Sequence, residues 1–256
     1  MLKKRLVGVI TVKDGWAVQS FGYRRYLPLG HPEYLAENLD RWGADEILVL
    51  SIDRTRRGLG PDLDLVRRLG GMGLSTPLSY GGGFRTIAEA GAIIQAGAER
   101  VCVDAVMHSS ATVVRGISSL IGAQAVIGAL PLSSVPGGLE LLDYTTGRSK
   151  PLSVGDLALF DARVVSEALI IDWRNEGHAQ AFDANLIRSF PAVDVPLIVF
   201  GGVSAATQLE RLLELDRVAA VGVGNFLSYR EHAVQILKRH THGERLRPAL
   251  SAGVSR

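Results

Sequence analysis

The sequence has one cysteine, no excess of either charge and no long apolar run, and each shortage excludes a class of protein. Cys102 is the single cysteine among 256 residues, which excludes a disulfide framework and favours a reducing compartment. No apolar run approaches the ~18 residues of a membrane-spanning helix, and no secretory-signal pattern opens the sequence. We therefore expect a soluble cytoplasmic protein without a membrane partner.

The charge balance argues against a nucleic-acid partner. Lysine and arginine number 28 against 26 aspartates and glutamates, and the two signs are interspersed. A nucleic-acid protein would concentrate one sign on one face. The basic group at Arg54, Arg56 and Arg57 fits a small anionic ligand better. No His, Cys, Asp or Glu grouping has metal-ligand spacing and no nucleophile elbow occurs, so we expect neither a metal nor another cofactor.

Short apolar runs alternate with helical patterns along most of the chain. Eight predicted strands, each followed by a helix, indicate a (β/α)8 TIM barrel. We expect one domain over residues 1–240, with a small hairpin insert near 131–153 and a flexible tail at 241–256. A doubly wound open sheet is the alternative, but it does not explain the internal repeat described next.

A glycine turn between a strand and a helix occurs twice, about 120 residues apart. Residues 77–80 lead into three glycines at 81–83, and residues 196–200 lead into Gly201 and Gly202. The segment 46–49 likewise corresponds to 167–170. These matches predict a barrel built from two duplicated half-barrels.

The two glycine turns are candidate phosphate sites. They fall at carboxyl ends of predicted strands, where barrel active sites lie, and each opens a helix whose N-terminus attracts anions. The alternative is that these glycines only make room for tight turns. The predicted phosphate- or substrate-binding residues are Gly82, Gly83, Arg85, Asp104, Gly177, Gly201, Gly202, Gly224 and Asn225.

Several motifs taken together resemble a known family. The segments 4–15, 43–46, 81–85, 96–101 and 201–202 are similar to the cyclase subunit of imidazole glycerol phosphate synthase, and the resemblance covers about residues 1–240. It implies a phosphate-binding barrel that receives ammonia from a separate glutaminase subunit. In that family the barrel cyclises a doubly phosphorylated ribosyl intermediate of histidine biosynthesis.

The resemblance also assigns a role to four charged residues at the N-terminal starts of strands. In the family two basic and two acidic residues there form an ammonia gate on the barrel floor, which implies a gate at Arg5, Glu46, Arg100 and Glu167. Arg100 replaces a lysine. The alternative is a salt-bridged plug that only closes the barrel, because four buried charges must pair with one another.

The sequence departs from the family where proton transfer takes place. The family uses aspartates at the ends of strands one and five, and we assign Thr11 and Leu130 to those positions. Losing one such group costs about 10²–10⁴ in rate. Gln19 replaces a loop lysine, and Asp104 replaces an asparagine that helps to hold phosphate, so we expect the first phosphate site to be weaker than the second. The remaining catalytic candidates are Asp14, Asp53 and His178.

Divergent members of the family suggest a different reaction. Some lack the strand-one aspartate, carry a Tyr-Gly-Gly-Gly turn like residues 80–83, and are associated with amidating sugars of bacterial surface polysaccharides. We therefore predict a synthase subunit that uses glutaminase-derived ammonia on a phosphorylated or anionic sugar-derived substrate. A histidine-pathway cyclase with relocated acid and base groups and a catalytically silent scaffold for the glutaminase are the alternatives.

Overall fold

A computed structural model describes residues 3–228, 231–240 and 246–248. In these residues the chain forms strands β1 (Arg5–Lys13), β2 (Trp16–Phe21), β3 (Arg25–Gly30), β4 (Glu46–Ser51), β5 (Leu78–Gly81), β6 (Arg100–Val103), β7 (Val126–Val135), β8 (Gly138–Asp143), β9 (Arg148–Pro151), β10 (Glu167–Asp172), β11 (Leu197–Phe200) and β12 (Val218–Val223). The helices are α1 (Pro32–Arg41), α2 (Arg54–Arg57), α3 (Leu63–Gly70), α4 (Ile87–Gln95), α5 (Ala105–Ser109), α6 (Ala111–Ile121), α7 (Ala158–Asp161), α8 (Asn185–Ser189), α9 (Ala206–Leu213) and α10 (Ala233–His240).

Eight of the strands close into a parallel barrel. The order is β1-β4-β5-β6-β7-β10-β11-β12, and β12 pairs in parallel with β1 to complete the circle. Every strand in this ring is paired on both sides, so the barrel has no free edge. The predicted (β/α)8 barrel is confirmed.

Side chains alternate between the lumen and the surrounding helices, as the pleat requires. On β1, Val7 and Val9 belong to a cluster made almost entirely by strand residues, whereas Leu6 and Ile10 pack in the larger cluster with the helices. This alternation fixes which residues reach the two openings of the barrel, since every second residue of a strand faces the lumen.

Two antiparallel hairpins project from the barrel. β2 and β3 form one hairpin, at residues 16–30. β8 continues from β7 in antiparallel pairing and β9 pairs with β8, within the region expected to hold a hairpin insert. Both hairpins follow strands whose carboxyl ends open at the same side, so they stand over one opening of the barrel.

Three residues of the segment expected to be a flexible tail, 246–248, belong to the described chain. Leu246 is buried and pairs with Lys4, and the Arg247 amide donates to the Lys4 carbonyl at 3.2 Å. An apolar side chain that reaches the barrel explains this attachment, because its burial favours packing against β1. The rest of that segment lies outside the described residues. Within the described ranges, no helix is long and apolar enough to cross a membrane.

Candidate functional site

A closed ring of ion pairs forms the floor of the barrel. Arg5 contacts both Glu46, at 2.9 Å, and Glu167. Arg100 also contacts both, at 3.2 Å to Glu46 and 2.6 Å to Glu167. Each arginine therefore bridges both glutamates, and the four side chains predicted as an ammonia gate lie together on the barrel axis.

The ring follows from strand alternation and is tied to its surroundings. The four residues share the lumen-facing parity of Val7, Leu48, Cys102 and Leu169, so all four point inward. Ser79 donates to Glu46 at 2.6 Å, and Arg100 donates to the Ser166 hydroxyl at 2.9 Å. Two positive and two negative charges cancel, which is the condition for keeping ionised groups almost out of water.

Apolar side chains fill the lumen between the floor and the opposite opening. They are Val7, Val9, Leu48, Leu50, Cys102, Ile127, Ala129, Leu169, Ile171, Ile198, Phe200 and Ala220. Burial raises the pKa of the Cys102 thiol, so this cysteine stays protonated and is a poor nucleophile. A neutral molecule such as ammonia is compatible with this lining, whereas an ion would lose its hydration.

A cavity of about 630 Å³ occupies the mouth of the barrel, at the carboxyl ends of the strands. It opens over the N-terminal half of the barrel, above β1, β4, β5 and β6. Its charged lining residues are Lys13, Asp14, Arg24, Asp53, Arg56, Arg57 and Asp104. Four cations face three carboxylates, so the mouth suits an anionic ligand.

Two of the predicted catalytic carboxylates are held in ion pairs at the rim of this cavity. Asp14 contacts Lys13 at 2.5 Å and also contacts Arg57, which reaches Asp53 at 3.0 Å. Hydrogen bonds from Lys13 and Arg57 lower the pKa of Asp14. A carboxylate whose pKa falls further below neutrality is a weaker base. Catalysis by Asp14 or Asp53 stays a prediction.

Asp104 is the carboxyl group of the mouth whose pKa lies near neutrality. It directly follows β6, next in the lumen-facing series Arg100 and Cys102, and lines the cavity. Burial, with a further contribution from Asp143, raises the pKa of Asp104 to about 7. At neutral pH this group exchanges between its protonated and ionised forms, as a general acid or base must.

Two tyrosines face each other beside Asp104, one from each hairpin. The rings of Tyr23 and Tyr144 meet edge to face, with centroids 5.4 Å apart, and both line the cavity. Burial raises the pKa of both phenols, and the two hydroxyls act on each other through a side-chain hydrogen bond. Among the described residues neither hydroxyl has a partner besides the other tyrosine.

The glycine turns are matched in conformation and in the backbone that they approach. Gly82 has φ +118° and Gly201 has φ +110°, and a Cβ at either would clash with the carbonyl that ends the neighbouring strand, at Ser51 or Asp172. Gly83 and Gly202 also have positive φ, at +85° and +79°, and a Cβ there would clash with a loop carbonyl, at Gly60 or Asn175. The close backbone approach therefore requires glycine at these positions, independently of any phosphate.

The amide groups around the first glycine turn already have partners. Gly83 donates to the Thr55 hydroxyl at 2.9 Å. The amides of Arg85 and Thr86 both donate to Glu89, whose own amide donates to Thr86, a capping box encoded by Thr-x-x-Glu. The Arg85 side chain donates to the Thr55 carbonyl at 2.7 Å and does not line the cavity. Phosphate binding at this turn stays a prediction.

The second glycine turn packs against the end of β10 and the loop after it, away from the mouth cavity, whereas Asn225 and Gly177 contact the β2–β3 hairpin. Asn225 both donates to and accepts from the Ser20 backbone, at 2.6 and 3.2 Å. A Cβ at Gly177 would also clash with the Ser20 carbonyl. Neither Gly201 nor Gly202 lines the mouth cavity, and Gly224 instead lines a groove of about 590 Å³ beside α1.

The loop after β10 is fastened to the same hairpin. Glu176 is buried and accepts from the Ser20 hydroxyl at 2.8 Å, and its carbonyl accepts from the Gly22 amide at 2.9 Å. His178, the third catalytic candidate, is exposed and its ring meets Phe21 at a centroid distance of 6.3 Å. It does not line the mouth cavity.

One position assigned from the sequence needs correction. Leu130 packs in the outer cluster between barrel and helices, so it cannot occupy a lumen-facing catalytic position. Ile127 and Ala129 face the lumen, and alternation places Pro131 at the mouth end of β7. Thr11 has the lumen-facing parity of Val7 and Val9. Threonine and proline therefore occupy these mouth positions, and neither is a proton-transfer group near neutral pH.

Metal coordination has no candidate in the described part of the chain, where no three His, Cys, Asp or Glu residues are grouped closely enough to hold an ion. Sequence reasoning missed Tyr23 and Tyr144, because their meeting depends on two hairpins converging over the mouth. The available signal was an aromatic residue in each segment, Tyr23 in 16–30 and Tyr144 in the predicted insert near 131–153.

Comparison with known proteins agrees with this architecture. The chain belongs to the family described as "Histidine biosynthesis protein", whose model matches residues 5–233. It is 26% identical to the "Putative imidazole glycerol phosphate synthase subunit hisF2" of Vibrio vulnificus over 256 residues, which covers 99% of this chain and 94% of the relative.

Two further relatives carry the name of the HisF subunit itself. The "Imidazole glycerol phosphate synthase subunit HisF" of Pyrococcus furiosus is 29% identical over 245 residues, covering 93% of this chain and 95% of the relative. The protein of that name from Exiguobacterium sibiricum is 28% identical over 237 residues, with 88% and 91% covered. The suspected resemblance to HisF-type cyclase subunits is thus confirmed along almost the whole chain.

Proposed function

We propose that this chain is a HisF-like synthase subunit that uses ammonia from a glutaminase partner on a phosphorylated or anionic sugar-derived substrate. Ammonia enters through the floor ring, crosses the apolar lumen and reacts in the mouth cavity. The reaction class is amidation or amidine formation, as in sugar modification for surface glycans.

The proposal depends most on the floor ring and its position relative to the mouth. Arg5, Glu46, Arg100 and Glu167 form one closed circuit at one end of the lumen, and the 630 Å³ cavity lies at the other end. Thr11 and Pro131 at the mouth favour a reaction other than the family's cyclisation, because the groups that move protons there are absent from these positions.

Reconstitution with the glutaminase encoded nearest to this gene tests the ammonia route. We expect the two proteins to co-purify and the complex to consume glutamine-derived ammonia. Arg100→Met should lower glutamine-driven turnover while free ammonium still supports it, and Arg100→Lys, which keeps the charge, should retain more of the glutamine-driven activity. If Arg100→Met lowered turnover equally with glutamine and with free ammonium, the floor ring would not be the ammonia entrance.

A histidine-pathway cyclase is the second candidate, and the names of the relatives favour it. Under this alternative Asp104 or another mouth group replaces the missing aspartates. Growth of a cyclase-deficient histidine auxotroph separates the candidates: we expect this gene not to restore growth, whereas a working cyclase would. Restored growth would replace amidation by cyclisation as the assigned reaction.

A further inference from the structure

The deep part of the mouth cavity carries polar groups with few protein partners. Among the described residues, the buried hydroxyls of Tyr23 and Tyr144 have no partner other than each other, and both residues line the cavity with Asp104, which forms no ion pair there. Buried polar groups whose hydrogen-bonding capacity is left unused are costly, so such groups call for an explanation. The two hydroxyls and the Asp104 carboxyl around one cavity indicate the place of a polar ligand group.

The electrostatic surroundings of this subsite disfavour a phosphate. The charged or titratable groups that act on Asp104, Tyr23 and Tyr144 from the packed elements are Asp143, Glu176 and the Cys102 thiol. None of these supplies positive charge. The amides of Gly83, Arg85 and Thr86, which would otherwise attract an anion, already donate within the protein.

Positive charge is available instead at the rim. Arg24, from the turn of the β2–β3 hairpin, and Arg56, from α2, are exposed and line the cavity. Within the described ranges neither forms an ion pair, in contrast to Arg57, which is shared between Asp14 and Asp53. A free guanidinium can bind an anionic group with charge-assisted hydrogen bonds.

We propose that the mouth binds a substrate with one anionic end, held by Arg24 and Arg56, and one uncharged hydroxyl-bearing end, held by Asp104, Tyr23 and Tyr144. A sugar ring fits the deep subsite, because its hydroxyls donate to a carboxylate and accept from phenols. Asp104 thereby selects against a second phosphate. This inference rests on the proposed function and specifies its substrate class.

Calorimetric titration of the full chain with two probes tests the selection. Ribose 5-phosphate carries one anionic end, and ribose 1,5-bisphosphate carries two. We expect the bisphosphate to bind roughly tenfold more weakly, because a second phosphate would meet the Asp104 carboxylate at short range above neutral pH. Asp104→Asn removes that repulsion and should bring the bisphosphate to equal or tighter binding.

A second pair of variants tests the rim. Arg56→Gln should weaken binding of both probes by roughly tenfold, since one charge-assisted contact is lost. Arg67→Gln, an exposed arginine on α3 outside the cavity, is the matched control and should leave both affinities unchanged. Both arginines are on the surface, so the folded state should tolerate either change.

Three outcomes would overturn the proposal: tighter binding of the bisphosphate by the unaltered chain, an unchanged preference in Asp104→Asn, or failure to bind either probe. None of these measurements involves ammonia. If the chain preferred ribose 5-phosphate but did not use glutamine-derived ammonia, only the proposed function would be refuted. If it used glutamine-derived ammonia but showed no such preference, only the present inference would be refuted.

Discussion

The floor and the mouth of the barrel are formed by the two ends of the same eight strands, but they handle charge differently. At the floor each charged side chain meets two of opposite sign, and the ring is nearly sealed from water. At the mouth, the two tyrosine hydroxyls have no protein partner other than each other, and neither Asp104 nor the two rim arginines form an ion pair within the described ranges. A network in which every charge is paired stabilises the folded state, whereas polar groups with unused hydrogen-bonding capacity around a cavity are available to a ligand.

The largest expected effect comes from opening the floor ring. Glu46→Gln leaves Arg5 and Arg100 with one carboxylate between them, and breaking a buried ion pair costs about 3–5 kcal/mol of unfolding free energy. Chemical denaturation measures the loss. Glu37→Gln, which breaks an exposed pair with Arg41 at 2.9 Å, is the control and should cost ~0.5 kcal/mol or less. Similar losses in the two variants would show that the floor ring is no more than a surface network.

The hairpin over the mouth should be the next most sensitive element. Gly177→Ala places a Cβ against the Ser20 carbonyl in a glycine with φ +80°, and we expect a loss of about 1–3 kcal/mol with faster proteolysis of residues 16–30. Gly147→Ala controls for backbone strain, because its φ is +70° but nothing lies within 4 Å of the added Cβ. Equal effects would show that strain alone, rather than contact with the hairpin, is responsible.

The titration of Asp104 should appear in the pH dependence of stability. Its pKa rises from 3.8 to about 7 on folding, so the folded state binds the proton more tightly. The unaltered chain therefore loses stability relative to Asp104→Asn as pH rises from about 4 to 7, by at most ~1.4 kcal/mol per pH unit. Above that range the difference should be constant. Denaturation curves at several pH values measure it, and parallel stability profiles would contradict the raised pKa.

The smallest effect is expected from removing a mouth hydroxyl. Tyr144→Phe deletes a buried group without a good partner and should change stability by less than ~1 kcal/mol, in either direction. Tyr80→Phe is the matched comparison, because the Tyr80 hydroxyl accepts from the Asp62 amide at 2.8 Å. That change should cost about 1–3 kcal/mol, since it leaves a buried donor unpaired. Thermal denaturation of both variants checks the contrast, which disappears if the Tyr144 hydroxyl has a strong protein partner.

The barrel and its floor could be predicted from local patterns. Alternating apolar runs and helices identify the eight strands, and Arg5, Glu46, Arg100 and Glu167 each stand at a strand start with lumen-facing parity. The mouth was less predictable, because a shift of one residue along β7 exchanges an outward Leu130 for an inward Pro131. Sequence spacing alone did not fix that register at the strand end.

The sequence by itself determined the repeated strand–helix units, the capping box at Thr86 and Glu89, and the glycines that a close backbone approach requires. These depend on neighbours along the chain or on a period of two. Only the tertiary structure decided that Gly177 and Asn225 meet the Ser20 backbone and that Tyr23 and Tyr144 meet in the cavity that Asp104 lines. Those contacts join segments far apart in sequence, and the raised pKa of Asp104 follows from the low-dielectric surroundings that this convergence creates.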